Sequence, residues 1–201
     1  MLERKVRSIA SSGPGHESIA SFVARLAART PTPGGGSAAG VVGALAAALG
    51  EMVLAYSIDP AKPAEDLVAV SDVLTEGRHR FLELADEDSR SYDAVRQAKK
   101  VRKERPGDPA AQEGYLTAVR GAAEVPLETA RRAVELAHRL DSVGSRTRAA
   151  LGSDLVTSLA LFRAAAEGAL ANVAINLEDL KAAGQSTEAL ESEVTRLRPS
   201  G

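Results

Sequence analysis

The sequence lacks cysteine and tryptophan entirely, and aromatic residues make up only 3% of its 201 residues. Without cysteine, the chain cannot form disulfides, thiolate nucleophiles or cysteine-based zinc sites. Its three histidines, His16, His79 and His138, fall in separate predicted elements, so their spacing does not favour a metal site. The same spacing gives no legible Ser-His-Asp arrangement, and we expect no metal in this protein.

The chain also lacks an excess of charge of either sign, since its formal net charge is −2. A near-neutral balance gives no support for nucleic-acid binding. The first five residues lack an apolar signal core. The uncharged run 30–50 is interrupted by proline and glycine, and we expect its helical part to be too short and too rich in alanine to span a bilayer. We therefore expect a cytoplasmic protein with no nucleic-acid or membrane partner.

Hydrophobic residues are plentiful at 44%, but with so few aromatics much of this share is alanine, valine and leucine. Such a composition favours close-packed helices over a β-sandwich. The apolar spacing predicts an all-α fold, an elongated and mostly antiparallel bundle of five or six helices over residues 1–201 as one domain. Residues 1–15, which end in Ser-Ser-Gly-Pro-Gly, are expected to be a flexible lead-in.

Proline and capping residues along the chain set the predicted helix boundaries. The first helix should stop before Thr30-Pro31, the second should run over 37–58, and the third over 64–103. Asp108 and Pro109 should open the fourth, which Pro126 kinks or restarts. Ser153 is expected to cap the fifth helix, and Ser186 or Thr187 the last.

The stretch 31–40, PTPGGGSAAG, contains the only glycine triplet of the chain. Gly34, Gly35 and Gly36 stand where the second helix begins, so free N–H groups and the positive end of the helix dipole meet there. That environment suits an anionic or carbonyl-bearing ligand. The alternative is a loop that only starts a tightly packed helix. Glycines within the same helix imply a close backbone partner, either a second helix or a second subunit, and so suggest a homodimer.

Asp88 interrupts the apolar stripe of the third helix, where leucine, valine and phenylalanine recur at steps of three and four. An aspartate at such a position is costly unless it has partners. It is either a carboxylate hydrogen-bonded to a neighbouring helix end or a functional group in a cleft with a raised pKa. Tyr92, one turn later, could line the same site. Asp86 falls on the outer face in this register and is expected to be solvated.

Asn176 is the polar residue on the stripe of the fifth helix, and Asn172 precedes it by one turn. A buried asparagine often only fixes helix register, and a ligand contact is the alternative. The basic run 99–105 closes the third helix. It suits the helix dipole and a solvated surface, and attraction of an acidic tail on a ligand is the second reading.

These motifs together resemble the formiminotetrahydrofolate cyclodeaminase / methenyltetrahydrofolate cyclohydrolase family over about residues 16–180. The resemblance rests on Pro-x-Pro-Gly-Gly-Gly-Ser, on the Asp-x-Asp segment, on Val-Pro-Leu, on Ser-Asp-Leu and on Asn-Val-x-x-Asn-Leu. It implies that Asp88 is the catalytic group. It also implies a folate site formed by the motif residues Pro33, Gly34, Gly35, Gly36, Ser37, Tyr92, Asp154, Asn172 and Asn176.

The resemblance further implies a homodimer that acts on a tetrahydrofolate derivative, with or without a polyglutamate tail, and that needs no other cofactor. Cyclodeaminase activity, which releases ammonia and forms 5,10-methenyltetrahydrofolate, is our first expectation, and cyclohydrolase activity is the second. Arg148 stands where the family usually has asparagine, and this substitution could alter substrate choice or abolish activity. A non-catalytic helical dimer is therefore the third possibility.

Overall fold

A computed structural model describes residues 13, 15 and 17–198, and within this part of the chain it contains six α-helices and no β-strand. The helices are α1 (Ile19–Leu26), α2 (Gly35–Ser57), α3 (Glu65–Glu104), α4 (Pro109–Ser142), α5 (Gly152–Ala182) and α6 (Glu188–Leu197). Two short 3₁₀ turns, Gly144–Arg146 and Ala149–Leu151, join α4 to α5. The prediction of an all-α fold is confirmed. The expected flexible lead-in lies outside the described residues, apart from Gly13 and Gly15.

The four long helices form an up-down-up-down bundle in which α2 and α4 each pack between α3 and α5. The start of α2 lies beside Asp88 and its later part beside Leu74, so α2 and α3 run antiparallel. Helix α2 has 23 residues, whereas α3 has 40, α4 has 34 and α5 has 31. The three longer helices therefore continue past the N-terminus of α2 and leave one corner of the bundle open there.

The core lies along the apolar stripe predicted for α3, where Leu67, Val70, Leu74, Gly77, Phe81 and Leu84 are buried. Phe81 and Phe162 meet across the bundle with ring centroids 6.2 Å apart. Each fully buried leucine or phenylalanine contributes about 1.5–3 kcal/mol to the free energy of unfolding.

The glycines of α2 face neighbouring helices of the same chain. A Cβ atom would lie 2.9 Å from the Phe81 carbonyl oxygen at Gly40, 2.7 Å from the Phe81 ring at Gly43 and 2.9 Å from Leu140 at Gly50. The sequence predicted that either a second helix or a second subunit packs against these glycines, and in the structure neighbouring helices do so. The glycines therefore give no argument for a dimer.

Helix α4 begins as predicted, with the Asp108 carboxylate accepting a hydrogen bond from the Ala110 N–H at 2.9 Å. It then continues unbroken through Pro126, so the predicted alternative of a restart is wrong. The predicted cap of α5 is also wrong. That helix follows directly from the turn at Ala149–Leu151, and Ser153 lies inside its first turn without a capping hydrogen bond. Thr187 occupies the N-cap position of α6, as one of the two predicted candidates.

Asp86 is buried, with 7% of its surface exposed, and one of its carboxylate oxygens accepts the Gly15 N–H at 2.6 Å. The prediction of a solvated Asp86 is therefore wrong. A heptad pattern divides a helix into core and solvent faces, but it does not show that another part of the chain covers the second face. Here Gly13 and Gly15, which precede α1, lie against Asp86.

By length and composition alone, α2 and the segment Ala149–Ala182 could each cross a membrane, so the expectation that α2 is too short is wrong. Half of the apolar window of α2 is buried inside the bundle. The central helix of a packed bundle has the same composition for that reason.

Candidate active site

The open corner at the N-terminus of α2 is a cavity of about 350 Å³ between α3 and α5, with α4 behind it. Six of the predicted site residues line it, namely Gly34, Gly35, Asp88, Tyr92, Asn172 and Asn176. They come from three separate stretches of the chain. The folding of α2 against α3 and α5 brings them together.

The N-terminus of α2 forms one end of this cavity. Gly34 is the N-cap and provides no side-chain cap, so the first helical N–H groups have no partner within their own helix. A Cβ at Gly34 would meet only the Pro31 carbonyl oxygen, at 3.9 Å. The backbone at Gly34 is therefore open to a bound molecule, as the sequence predicted.

Gly36 and Ser37, in contrast, lie behind Asp88 and do not line the cavity. Both are buried, and a Cβ at Gly36 would lie 2.0 Å from the Asp88 Oδ1 atom. The Ser37 hydroxyl oxygen lies 2.9 Å from Asp88 Oδ2, 2.9 Å from the Ala85 carbonyl oxygen and 3.1 Å from the Ser89 hydroxyl oxygen. The Ser37 N–H also donates to the Asp88 carboxyl group. Asp88 of α3 thus caps α2, and the absent side chain of Gly36 gives it room to do so.

Burial raises the pKa of the Asp88 carboxyl group. Hydrogen bonds donated by the Ser37 hydroxyl and N–H favour the ionised form and oppose this shift, but they do not cancel it. Asp88 therefore combines both readings of the sequence, because it is hydrogen-bonded to a helix end and also faces a cavity with a raised pKa.

Pro33 is buried after a cis peptide bond with Thr32 and does not line the cavity. The residues just before it, Pro31 and Thr32, reach the cavity instead. Tyr92 stands at the mouth, where 44% of its surface is exposed, and Ile175 faces the same cavity with 64% exposed.

The two asparagines of α5 use their amide hydrogens within the bundle. Asn172 donates to the Gly168 carbonyl oxygen at 2.8 Å, and Asn176 donates to the carbonyl oxygens of Ala122 and Asn172, both at 3.1 Å. Ala122 lies four residues before Pro126, which has no N–H to donate to it. Asn176 therefore supplies the hydrogen bond that Pro126 cannot make.

Asp154 is not part of this cavity, so the structure does not support its predicted place beside the other site residues of the same chain. It lies in the first turn of α5, 18 residues before Asn172, which corresponds to about 27 Å along a helix. Arg148 lies at the same distant end, where its N–H donates to the Ser57 hydroxyl at 3.0 Å. Replacement of the family asparagine by Arg148 therefore leaves the cavity of its own chain unchanged.

Asp179 also lines the cavity, and the sequence reasoning missed it. Its Oδ2 atom accepts a hydrogen bond from the Tyr115 hydroxyl at 3.1 Å, and the Arg102 guanidinium lies 3.7 Å from the centre of the Tyr115 ring. Burial raises the pKa of Tyr115, and the negative charge of Asp179 raises it further. Tyr115 therefore stays a hydrogen-bond donor. The spacing of Asp179 from Asn172 and Asn176, seven and three residues, was a readable signal of a shared helix face.

The basic run of α3 is largely paired outside the cavity. Arg102 covers Tyr115, Lys100 lies 3.8 Å from Glu104, and Arg105 lies 3.9 Å from Asp108. Lys99 is the residue of the run that reaches the cavity, together with Arg96 one turn before it. Over the described part of the chain, histidine, aspartate and glutamate side chains form no group of three that could hold a metal ion.

Comparison with known proteins shows the family to which the whole bundle is similar. The sequence model of the family described as formiminotransferase-cyclodeaminase matches residues 18–196. The formimidoyltransferase-cyclodeaminase of Gallus gallus is 32% identical over 187 residues, which cover 89% of this chain and 34% of that protein. This chain thus spans about a third of the length of that relative.

A second relative has a comparable length. The methenyltetrahydrofolate cyclohydrolase of Methylorubrum extorquens is 32% identical over 170 residues, which cover 83% of this chain and 82% of that protein. Among solved structures, the formiminotetrahydrofolate cyclodeaminase of Thermotoga maritima superposes with a TM-score of 0.74 at 27% identity, covering 90% of this chain and 86% of that one.

Proposed function

This chain belongs to the formiminotransferase-cyclodeaminase family, and from that premise we propose that it is a folate one-carbon enzyme, with formiminotetrahydrofolate cyclodeaminase activity as the leading assignment. The observation that carries the proposal is the Asp88 carboxyl group, held by Ser37 at the end of a cavity and raised in pKa by burial. A raised pKa brings a carboxyl group closer to neutral pH, where it becomes a more effective general acid and base.

In the proposed reaction, N10 of 5-formiminotetrahydrofolate attacks the formimino carbon, and a new C–N bond forms. The tetrahedral intermediate then loses the former imino nitrogen as ammonia, which must depart protonated. The formimino nitrogen enters protonated, as an amidinium, so in the intermediate it is an –NH2 group that needs one further proton to leave as ammonia. Asp88 accepts the proton that N10 gives up and donates it to this nitrogen, so the carboxyl group returns to its starting state. The N-terminus of α2 faces this centre with its open backbone at Gly34 and favours electron-rich groups there.

The second candidate is methenyltetrahydrofolate cyclohydrolase activity. It is favoured by the relative of that name in Methylorubrum extorquens, of which the chain covers 82%. In that reaction water adds to the bridging carbon of 5,10-methenyltetrahydrofolate, and Asp88 would accept a proton from the water. Both reactions pass through a tetrahedral one-carbon centre, involve no change of oxidation state and require only proton transfers from the enzyme. We therefore propose that neither needs a cofactor besides the folate.

The third possibility, a non-catalytic dimer, was motivated by Arg148. Arg148 lies with Asp154 at the end of the bundle away from the cavity, and this position weakens the argument that Arg148 abolishes activity.

One assay tests the three possibilities. The purified full-length chain is given 5-formiminotetrahydrofolate, and the formation of 5,10-methenyltetrahydrofolate is followed by absorbance. In parallel, the chain is given 5,10-methenyltetrahydrofolate, and its loss is followed in the same way. Turnover of the formimino substrate supports the leading assignment, and turnover of the methenyl compound alone supports the second. If neither compound is converted but folate binds, the chain is a non-catalytic member of the family.

We also propose that the protein is a homodimer. The glycines of α2 do not support this, but the outer surface does. Ile19 and Val23 of α1 and Leu45 of α2 are 68%, 54% and 47% exposed, and Ile19 and Leu45 line one apolar hollow. These three residues are called the α1–α2 patch below. A second copy of the chain would remove this apolar surface from water.

A further inference from the structure

At Asn176 and Asp179, the α5 side of the cavity offers hydrogen-bond acceptors and no free amide hydrogen. The two Nδ2 hydrogens of Asn176 are both used, one by the Ala122 carbonyl oxygen and one by the Asn172 carbonyl oxygen. The amide oxygen of Asn176 is therefore what remains for a ligand. Because both partners are carbonyl oxygens, the orientation of this amide is fixed by chemistry.

Asp179 adds a second acceptor one turn further along α5. One of its oxygens accepts the Tyr115 hydroxyl, which leaves further lone pairs on both oxygens. Within the described part of the chain, no lysine or arginine forms an ion pair with Asp179 at 4 Å or less, and the Arg102 guanidinium is held over the Tyr115 ring. Asn176 and Asp179 are called the acceptor wall below.

The position of the acceptor wall relative to Asp88 fits one part of the proposed substrate. Asp179 lies seven residues beyond Asn172, about 10 Å along the helix axis. Asn172 itself lies beside Gly35, at the level of Asp88. The gap between the catalytic carboxyl group and Asp179 is thus about the span of a fused two-ring heterocycle with a hydrogen bond at each end.

The pyrimidine ring of tetrahydrofolate carries such an edge, because its 2-amino group and its N3–H are adjacent donors. A carboxylate accepts two adjacent donors with its two oxygens, and hydrogen bonds to a charged acceptor are the stronger kind. We propose that the acceptor wall binds the 2-amino and N3–H edge of the pterin ring, with Asp179 as the residue that selects a 2-amino-4-oxopyrimidine ligand. This inference rests on the proposed folate function.

In this orientation the p-aminobenzoyl end leaves the cavity between Tyr92 and Ile175, which are the exposed apolar residues at its mouth. The opposite orientation would place the glutamate tail against Lys99, about 16 Å beyond Asp88 along α3, and close to the negative charge of Asp179. The two orientations predict opposite effects when the charge of Asp179 is removed.

The test compares two ligands on three proteins by isothermal titration calorimetry. The ligands are tetrahydrofolate and its analogue with a methyl group in place of the 2-amino group. The proteins are the full-length wild type, Asp179→Asn and Glu178→Gln. The second substitution removes an equal charge from the adjacent exposed position of α5, outside the cavity. An asparagine in place of Asp179 keeps an oxygen for the Tyr115 hydroxyl, so the fold should be retained.

We expect the wild type and Glu178→Gln to bind tetrahydrofolate about 10- to 100-fold more tightly than the analogue, the usual range for a hydrogen bond to a charged group. Asp179→Asn should lose most of that preference by weakening the binding of tetrahydrofolate alone. An equal loss for both ligands, or no loss, overturns the assignment of Asp179. A further titration uses triglutamylated tetrahydrofolate. Tighter binding of this ligand by Asp179→Asn than by the wild type also overturns the assignment, because that result places the tail at this end.

The outcome distinguishes the inference from the function on which it rests. A wild type that binds both ligands equally well retains the folate function and refutes the acceptor wall. A wild type that binds neither ligand refutes the folate function and the inference with it.

Discussion

At the scale of single residues, the site depends on how a carboxyl group is kept close to a helix end. Asp88 approaches α2 over Gly36 and is held by the hydroxyl and N–H of Ser37. Gly36 and Ser37 of the glycine motif therefore position the Asp88 carboxyl group, and Gly34 and Gly35 are the part that a ligand can reach. Substitutions along this motif should consequently have different effects at each position.

Asp88→Asn preserves the shape of the side chain and an oxygen for Ser37 but cannot transfer a proton. We expect turnover of the folate substrate to fall by roughly 10²–10⁴-fold. Affinity for tetrahydrofolate should change little, and the melting temperature at neutral pH should not fall. Steady-state kinetics, calorimetry and a thermal melt on one preparation check this. Full activity with a lowered melting temperature would show that Asp88 has only a structural role.

The raised pKa of Asp88 also gives this variant a pH signature. The folded state binds the proton of Asp88 more tightly than the unfolded chain, so its stabilising contribution is complete at low pH and is lost as the pH rises through the folded pKa. Asparagine cannot ionise. The melting temperature of Asp88→Asn relative to the wild type should therefore increase as the pH rises above about 4, the ordinary pKa of an aspartate.

Gly36→Ala should be far more harmful than Gly35→Ala. The new Cβ at position 36 would lie 2.0 Å from Asp88 Oδ1, whereas at position 35 it would lie 3.0 Å from the side-chain amide of Asn172, which can move. We expect Gly36→Ala to cost about 1–3 kcal/mol of stability and most of the turnover. Gly121→Ala is the control, because a Cβ there meets nothing within 4 Å. Chemical denaturation and the absorbance assay provide the measurements, and equal behaviour of the two variants would refute the proposed reason for Gly36.

At the scale of helices, Pro126 and Asn176 form one unit across α4 and α5. Asn176→Ala leaves the buried carbonyl oxygen of Ala122 without the donor that replaces the missing N–H of Pro126. We expect a loss of about 1–3 kcal/mol in the free energy of unfolding. In the Pro126→Ala background the same change should cost clearly less, because an alanine in place of the proline has a backbone N–H that can donate to the Ala122 carbonyl oxygen. A double-mutant cycle from urea denaturation measures the coupling, and purely additive costs would contradict it.

The glycines of α2 set the distance between helices within the bundle. Gly43→Leu places a side chain where even a Cβ would lie 2.7 Å from the Phe81 ring, so we expect a loss of about 1–3 kcal/mol or more. Because the contact is within one chain, the loss should not depend on protein concentration. Gly114→Ala, on an open surface of α4, is the control and should gain up to about 1 kcal/mol from helix propensity. Denaturation of the variant at two protein concentrations tests this expectation. A loss of stability that depends on protein concentration would assign Gly43 to a subunit contact.

At the scale of the whole molecule, the α1–α2 patch predicts the state of association. If a second copy covers it, Leu45→Glu should convert a dimer to a monomer, because a charge would be buried against apolar surface. Tyr56→Glu is the matched control on the same helix, since Tyr56 is 59% exposed and lies outside the patch. Light scattering at micromolar protein concentration should show dimers for the wild type and for Tyr56→Glu, and monomers for Leu45→Glu. A monomeric wild type with a full melting transition would refute the proposal.

The sequence by itself determined the class of fold and identified six of the residues that line the cavity. Helical spacing of alanine, valine and leucine identified the helices, and the confirmed family resemblance pointed to Asp88 and to the asparagines of α5. These features are local or periodic, so they are legible along one chain. Asp88 in particular stood out because the burial of a carboxylate on an apolar stripe is unfavourable unless the group has hydrogen-bond partners.

Only the tertiary structure decided which groups meet. The unequal lengths of α2 and its neighbours create the open corner, and packing turns Gly36 and Ser37 toward Asp88 instead of a ligand. The same packing places Gly13 and Gly15 against Asp86 and brings Asp179 to the cavity, while the rise of α5 separates Asp154 from Asn172 by about 27 Å along the helix. Contacts between distant segments depend on the relative position of whole helices, and a periodic pattern along one helix does not contain that position.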